Sequence, residues 1–392
     1  MRLFDDFERT DDRPKLEEGE DGFAFLNRVN TPFWAAVRKL LDEWFERYPD
    51  EHKGDLRSAY RSSLDGRHFG AWWELYLHEL FSRLGYEIEV HPTLPWTERR
   101  PDFRLTKQGR RVLVEAAAVF SGISSNGGST GAAPSWMTAA IETVDSPDFF
   151  INYSEVLAEG TERLKRSQIA RPLHRWIASL DPDRERESIE EGREPPEFVL
   201  RCRGWEVTFF AWALSPEQRG RPGHRVVGTG APMAGYVNDI EQLLSKLKTK
   251  AGRYGRPEEP FVIAVLCLSS FMERLDIEQA LFGREAVLIE GPDRGRLVRQ
   301  PNGLWFHRNA PINQRISAVL TSVCVQPWTV GKVAPETWIN PWADYELEEP
   351  WPFTVASAKD SGEIIRTERE PALVELFGLP PEWPPGKPFP RD

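Results

Sequence analysis

The sequence predicts an α/β fold, a mixed central sheet flanked by helices. Three observations carry this. An amphipathic helix over 68–84 leads into three strand-like segments within 86–120. A second amphipathic helix over 236–252 leads into Phe261–Leu268, an apolar run of the kind that forms a strand buried on both faces. Helices alternating with such strands cover both faces of a partly parallel sheet.

In chain order, residues 1–22 are polar, acid-rich and irregular. Phe33, Trp34, Val37, Leu40, Leu41 and Trp44 recur at helical spacing, with Thr31 as N-cap and Pro32 in the first turn. A short helix follows over 55–64, then the long one, which Gly85 stops. Residues 86–90 and 102–106 alternate, whereas 111–120 (RVLVEAAAVF) is apolar on both faces around one acid. Gly109 supplies the turn between the last two. Residues 121–135 are Gly/Ser-rich and read as a flexible loop, and 154–180 reads as helix. Residues 181–197 hold eight acids against three arginines and read as a solvated connector. Residues 198–214 read as two strands turned at Gly204, a hairpin suited to the edge of a sheet. Further strands are expected over 285–289 and 316–325. The last 62 residues contain 11 prolines together with Trp338, Trp342, Trp351 and Trp383, which predicts an extended segment wrapping the surface. The expected organisation is an N-terminal helical segment (1–65), a core (66–120 and 236–330), an insertion (121–235) and a Pro/Trp-rich C-terminal extension (331–392).

Composition excludes several classes. Forty per cent hydrophobic residues is too many for a disordered chain. No run approaches the ~18 apolar residues of a membrane helix, so no membrane partner is expected. The first ten residues mix acids with Phe and do not form a secretory signal. Three cysteines, all in apolar runs, rule out a disulfide framework and suit reduced thiols in the cytoplasm. With 50 Lys plus Arg against 61 Asp plus Glu, the net charge of −11 argues against a general DNA-coating protein, although local clusters decide binding. The seven histidines lack zinc-ligand spacing, and no phosphate-binding glycine loop is present.

Three acids stand out. Asp102 opens a strand directly after Pro101. Glu115 lies in the middle of an apolar strand, where a carboxylate is costly without a partner or a metal. Glu74 borders the buried stripe of its helix, roughly 100° from the centre. Carboxylates on adjacent strands can share one Mg²⁺, which prefers oxygen ligands and keeps several waters. Such a site can hydrolyse phosphodiesters.

Glu74 on a helix, then Pro101-Asp102, then Val114-Glu115-Ala116-Ala117 resembles the PD-(D/E)xK nuclease superfamily, the restriction-endonuclease-like fold. The resemblance covers about 66–120, and the helix and strand at about 236–268 fit the later part of that fold. LKTKAGRYG (247–255) before a VIAV strand, with ISAVL (316–320) later, is similar to bacterial members of the superfamily. The resemblance implies a Mg²⁺- or Mn²⁺-dependent nuclease of restriction, defence or DNA-processing type. Asp102 and Glu115 would be metal ligands, supported by Glu74. The sequence departs from the pattern at Ala117, where the family carries its lysine. Helix 236–252 offers replacements. Lys250, and after it Lys248, flank its apolar stripe on opposite sides, each about 80° from the centre, and Lys246 lies further out.

Basic residues cluster beside these segments, at Arg99, Arg100, Arg104, Lys107, Arg110 and Arg111, and at Lys246, Lys248, Lys250, Arg253 and Arg256. Arg99, Arg100, Arg104, Lys246 and Arg253 are the candidates for contact with nucleic acid, DNA in the first place. A homodimer or a partner subunit stays open. The alternative is a catalytically inactive module of the same fold that binds nucleic acid or a protein, and Ala117 is the residue that favours it.

Overall fold

The computed structural model describes residues 1–14, 20–120, 143–158, 164–190, 193–214, 239–268, 272–291, 294–307, 310–359 and 363–388, and five isolated positions: Met137, Ala140, Ile141, Pro216 and Arg219. The first two helices, α1 (Gly22–Arg28) and α2 (Pro32–Arg47), begin at side-chain caps. Asp21 Oδ1 accepts from the Ala24 amide at 2.7 Å, and Thr31 accepts from that of Trp34. Helix α3 (Lys53–Tyr60) precedes α4 (Asp65–Arg83). Gly85, at φ +81°, ends α4 by letting the Tyr86 amide reach back to the Phe81 carbonyl at 3.0 Å.

Strands β1 (Glu87–Val90), β2 (Phe103–Lys107) and β3 (Arg110–Phe120) form an antiparallel meander. Gln108 and Gly109 both take positive φ, 52° and 78°, which gives the two-residue turn the twist that the β2–β3 hairpin needs.

The insertion builds its own sheet. Strand β4 (Phe149–Ala158), helices α5 (Arg166–Ile177) and α6 (Pro182–Glu190), and strands β5 (Glu197–Cys202) and β6 (Trp205–Ala213) follow in order. The three strands pair antiparallel in the order β4-β6-β5 over a separate core that includes Ile151, Leu173, Val207 and Phe209. Three expectations are corrected. Residues 154–158 are strand, because pairing along β6 overrides their helical propensity, and the helix starts only at Arg166. The acidic segment 181–197 contains helix α6, whose acids Asp183 and Glu185 sit favourably in the first turn. The hairpin at Gly204 forms, but it pairs with β4 and not with the edge of the main sheet. The Gly/Ser-rich stretch 121–135 lies outside the described residues.

Helix α7 (Asp239–Ala251) leads into β7 (Phe261–Leu268), followed by α8 (Arg274–Phe282), the hairpin of β8 (Glu285–Gly291) and β9 (Arg294–Arg299), and the short pair β10 (Phe306–His307) and β11 (Ala310–Pro311). The strand expected over 285–289 therefore belongs to a hairpin outside the main sheet. The chain closes with β12 (Ala318–Val323), β13 (Glu336–Ile339), β14 (Thr354–Ala358), β15 (Ile364–Thr367) and α9 (Leu373–Phe377).

The main sheet has eight strands in the order β1-β2-β3-β7-β12-β13-β14-β15. β3, β7 and β12 run parallel in the centre, as do β13 and β14, and the other neighbours pair antiparallel. The fold is α/β, a large mixed sheet flanked by helices. On one face α2 and α4 pack Trp44, Trp72 and Trp73 over Val114, Val262 and Ala264. On the other, α7 and α8 pack Leu243, Leu247 and Leu281 over Leu113, Ile263 and Val265. The last 62 residues do not wrap the surface as extended chain. They supply three strands, and Trp338, Trp351 and Trp383 are buried, because the prolines fall between the strands and leave ETWI, TVASA and IIRT free to pair. Among the described residues no helix is long and apolar enough to cross a membrane.

Candidate functional site

The site lies where β2 leaves β3. Their pairing stops at Phe103–Val114, whereas β3 continues along β7 to Phe120. The amides of β3 beyond that point need another acceptor on the β2 side. Asp102 provides it. Its Oδ2 accepts from the Ala116 amide at 2.6 Å, and its own carbonyl accepts from the His91 amide at 2.9 Å. The Pro-Asp step thus aims a half-buried carboxylate at the opening between two strands.

Glu115 shares its face of β3 with Leu113 and Ala117, towards α7, and is 1% exposed. A buried carboxylate must be paired, and three side chains pair it. Lys250 Nζ lies 2.5 Å from Oε1 and Arg253 Nη1 lies 2.6 Å from the same oxygen, while the Tyr254 hydroxyl donates to Oε2. Tyr254 also ties in the preceding loop. Its hydroxyl oxygen is 3.1 Å from the Arg100 carbonyl, and its own carbonyl accepts from Trp96 Nε1 at 2.9 Å.

Glu74 comes from α4, on the opposite side of the sheet, yet it belongs to the same electrostatic unit. Burial pushes its carboxyl up to about 7, Lys250 opposes the rise and Glu115 adds to it. Asp102 is held well above the ordinary carboxyl range by burial, by Glu115 and by Glu74, against Lys250 and the Ala116 amide. Helices on both faces therefore act on one carboxylate at the gap in the sheet. Lys250 and Glu115 are in direct contact, and Glu74 and Asp102 feel both of them.

The two candidate lysines separate clearly. Lys250 is on Glu115, whereas Lys248 is exposed. Lys246 is closer in than its helical position suggested. It is half-buried, and burial together with Lys250 and Arg253 lowers its pKa. Among the arginines, Arg99 and Arg100 are exposed, and Arg253 sits on Glu115. The guanidinium of Arg104 is instead held by Glu89 at 2.8 Å and Glu259 at 3.2 Å. Arg110 pairs with Glu348 and Glu349, Arg111 with Glu259, and Lys107 donates to the Leu84 carbonyl. The basic run at 99–111 thus narrows to Arg99 and Arg100. His78, one turn after Glu74, packs its ring on Tyr48 at 4.8 Å, and burial lowers it to about 4.

Tyr254 is the site residue that sequence reasoning missed. The one local signal was its place just past the end of α7, beside Arg253 and four residues after Lys250.

The carboxylates are hard oxygen donors, and beyond burial Glu115 raises the pKa of Glu74 and of Asp102 while Glu74 adds to the rise at Asp102, a charge pattern that a divalent cation would relieve. Among the described residues, no group of three His, Cys, Asp or Glu side chains is arranged to hold a metal ion. Asp102 and Glu115 are the two oxygen donors that a Mg²⁺ site of one or two carboxylates with several waters would draw on. No protein-family model, curated protein or solved structure matches the chain.

Proposed function

We propose that this protein is a metal-dependent nuclease of the PD-(D/E)xK type, hydrolysing phosphodiester bonds of nucleic acid, DNA first, in restriction, defence or DNA processing. The observation that carries the reading is the 2.5 Å contact of Lys250 with Glu115 inside a field shared with Asp102 and Glu74. It supplies from a helix the ammonium that Ala117 leaves out of the strand.

Asp102 and Glu115 would hold Mg²⁺ or Mn²⁺. The ion's contribution there would be to acidify a water and to neutralise charge on a phosphoryl oxygen. Lys250 orients Glu115 and places a positive charge beside the point where a nucleophile gathers negative charge. Glu74, near 7, changes protonation close to neutral pH and is suited to accept a proton from water. Arg99, Arg100, Lys246 and Arg253 supply positive charge for a phosphate backbone that the acidic protein as a whole repels.

A second reading rests on a specific feature. Both oxygens of Glu115 already have partners, as they would in an ion cluster serving only the fold of a binding module. One experiment separates the two. The purified protein is incubated with single-stranded, duplex and branched DNA and with RNA, in Mg²⁺ or Mn²⁺. Cleavage that disappears in Asp102→Asn and Glu115→Gln supports the nuclease. Binding that survives both substitutions, without cleavage of any substrate, supports the module.

A further inference from the structure

The cations around Glu115 are not equivalent. Lys250 is 17% exposed and acts on Glu74 and Asp102 as well as Glu115. It is part of the interior charge balance. Arg253 lies beyond the end of α7, is 44% exposed, and shares Oε1 with Lys250. Lys250 shares that oxygen with it, and Lys246 lies close enough for both cations to act on it. Lys246 has no carboxylate partner among the described residues; burial first, and then Lys250 and Arg253, lower its pKa.

We propose that Arg253 is the displaceable counter-ion of Glu115: a divalent cation binding at Glu115 takes over Oε1 and releases the guanidinium to grip a phosphate of the nucleic acid. The inference rests on the nuclease reading and deepens it by coupling metal binding to substrate binding. Two effects act in the same direction. Metal and guanidinium compete for one oxygen, and a cation in place would repel the guanidinium beside it. Once released, Arg253 has a planar fork suited to phosphate and lies on the side of Lys246, where an anion is favoured. By linkage, metal must then strengthen nucleic-acid binding, and nucleic acid must strengthen metal binding by the same factor.

The test is calorimetric titration of Mn²⁺ into the full-length wild type, Arg253→Gln and Glu115→Gln at pH 8, with circular dichroism confirming the fold of each. Arg253→Gln is expected to bind Mn²⁺ on the order of ten-fold more tightly than wild type, because a charge-assisted competitor is gone. In parallel, a fluorescent duplex oligonucleotide is titrated with and without Ca²⁺. Ca²⁺ is expected to tighten wild-type binding, and that gain is expected to vanish in Arg253→Gln. Unchanged or weaker Mn²⁺ binding in Arg253→Gln, with wild-type binding that Glu115→Gln abolishes, overturns the counter-ion proposal and leaves the nuclease reading standing. Mn²⁺ binding that survives Glu115→Gln, or none in the wild type, overturns both.

Discussion

Lys250 Nζ and Glu115 Oε1 lie 2.5 Å apart although 135 residues separate them in sequence. Ala117, on the same face of β3 as Glu115, is buried in the core under α7, so a lysine at that position would have to displace packed side chains. The helix delivers the ammonium instead. On the proposed nuclease function, Lys250→Met is expected to lower cleavage by about 10²–10⁴-fold, the usual weight of a group that positions or moves protons. Its stability cost should be about 1–3 kcal/mol, since Glu115 keeps Arg253 and Tyr254. The exposed Lys248, changed to Met, should alter stability by no more than about 0.5 kcal/mol and leave the rate unchanged. Steady-state cleavage and denaturant melts of the two variants check this together.

Without metal, the carboxylates should make stability depend on pH. Glu74 and Asp102 have folded-state pKa values above their unfolded ones, so the folded chain holds protons that the unfolded chain releases. Stability is then fully present below the unfolded values and is lost as pH rises through the folded ones. For Glu74 the window runs from 4.5 to about 7, and at 1.36 kcal/mol per pH unit the loss is at most about 3 kcal/mol. Glu74→Gln should flatten that part of the curve and be more stable than wild type at pH 8. With the proposed metal site, added Mg²⁺ should reverse the trend, because a divalent cation favours carboxylates in their ionised form. Thermal melts between pH 5 and 8, with chelator or with Mg²⁺, measure both effects.

What could be read in advance follows the range of the interactions. Thr31 with Pro32, Gly85, Gly109 and Gly204 act within a few residues, and each marked a boundary found in the structure. The run Phe261–Leu268 was legible because a strand covered on both faces has no polar side. Asp102 and Glu115 were legible because a carboxylate in an apolar setting needs a reason. What failed depended on distant partners. Residues 154–158 are strand only because β6 lies beside them, and the prolines of 331–392 masked three short strands that need β12 to pair. Arg104 looked like a free cation because Glu259, its partner, is 155 residues away. Tyr254 was hidden for the same reason, since its role is defined by a strand far earlier in the chain.

Asp102→Asn and Glu115→Gln should differ in stability even if both abolish cleavage. Asp102 is half-buried beside like charges, and an Asn can still accept from the Ala116 amide, so its substitution should be neutral or stabilising in the absence of metal. Glu115 is the counter-ion of Lys250 and Arg253. Its replacement leaves Lys250 facing a neutral amide and should destabilise the protein by about 3–5 kcal/mol. Urea unfolding of both variants in chelator gives the comparison, and equal destabilisation would contradict the roles assigned to the two acids.

The last 62 residues should prove indispensable to folding. Their strand β13 pairs with β12, whose residues Ala318–Ser322 are buried, so removing it would open a long apolar edge in the middle of the sheet. Trp338 anchors that contact. It is fully buried, its Nε1 donates to Thr321 Oγ1 at 2.9 Å, and the Arg366 guanidinium lies 5.3 Å from the ring centre. A chain ending at residue 330 is expected to be insoluble or unfolded by circular dichroism. Trp338→Ala in the full chain should cost about 3–5 kcal/mol, through the cavity it leaves and the unpaired Thr321 hydroxyl. A truncated chain that stays monomeric and melts cooperatively would show that the sheet is complete without these strands, and their burial would then need another explanation.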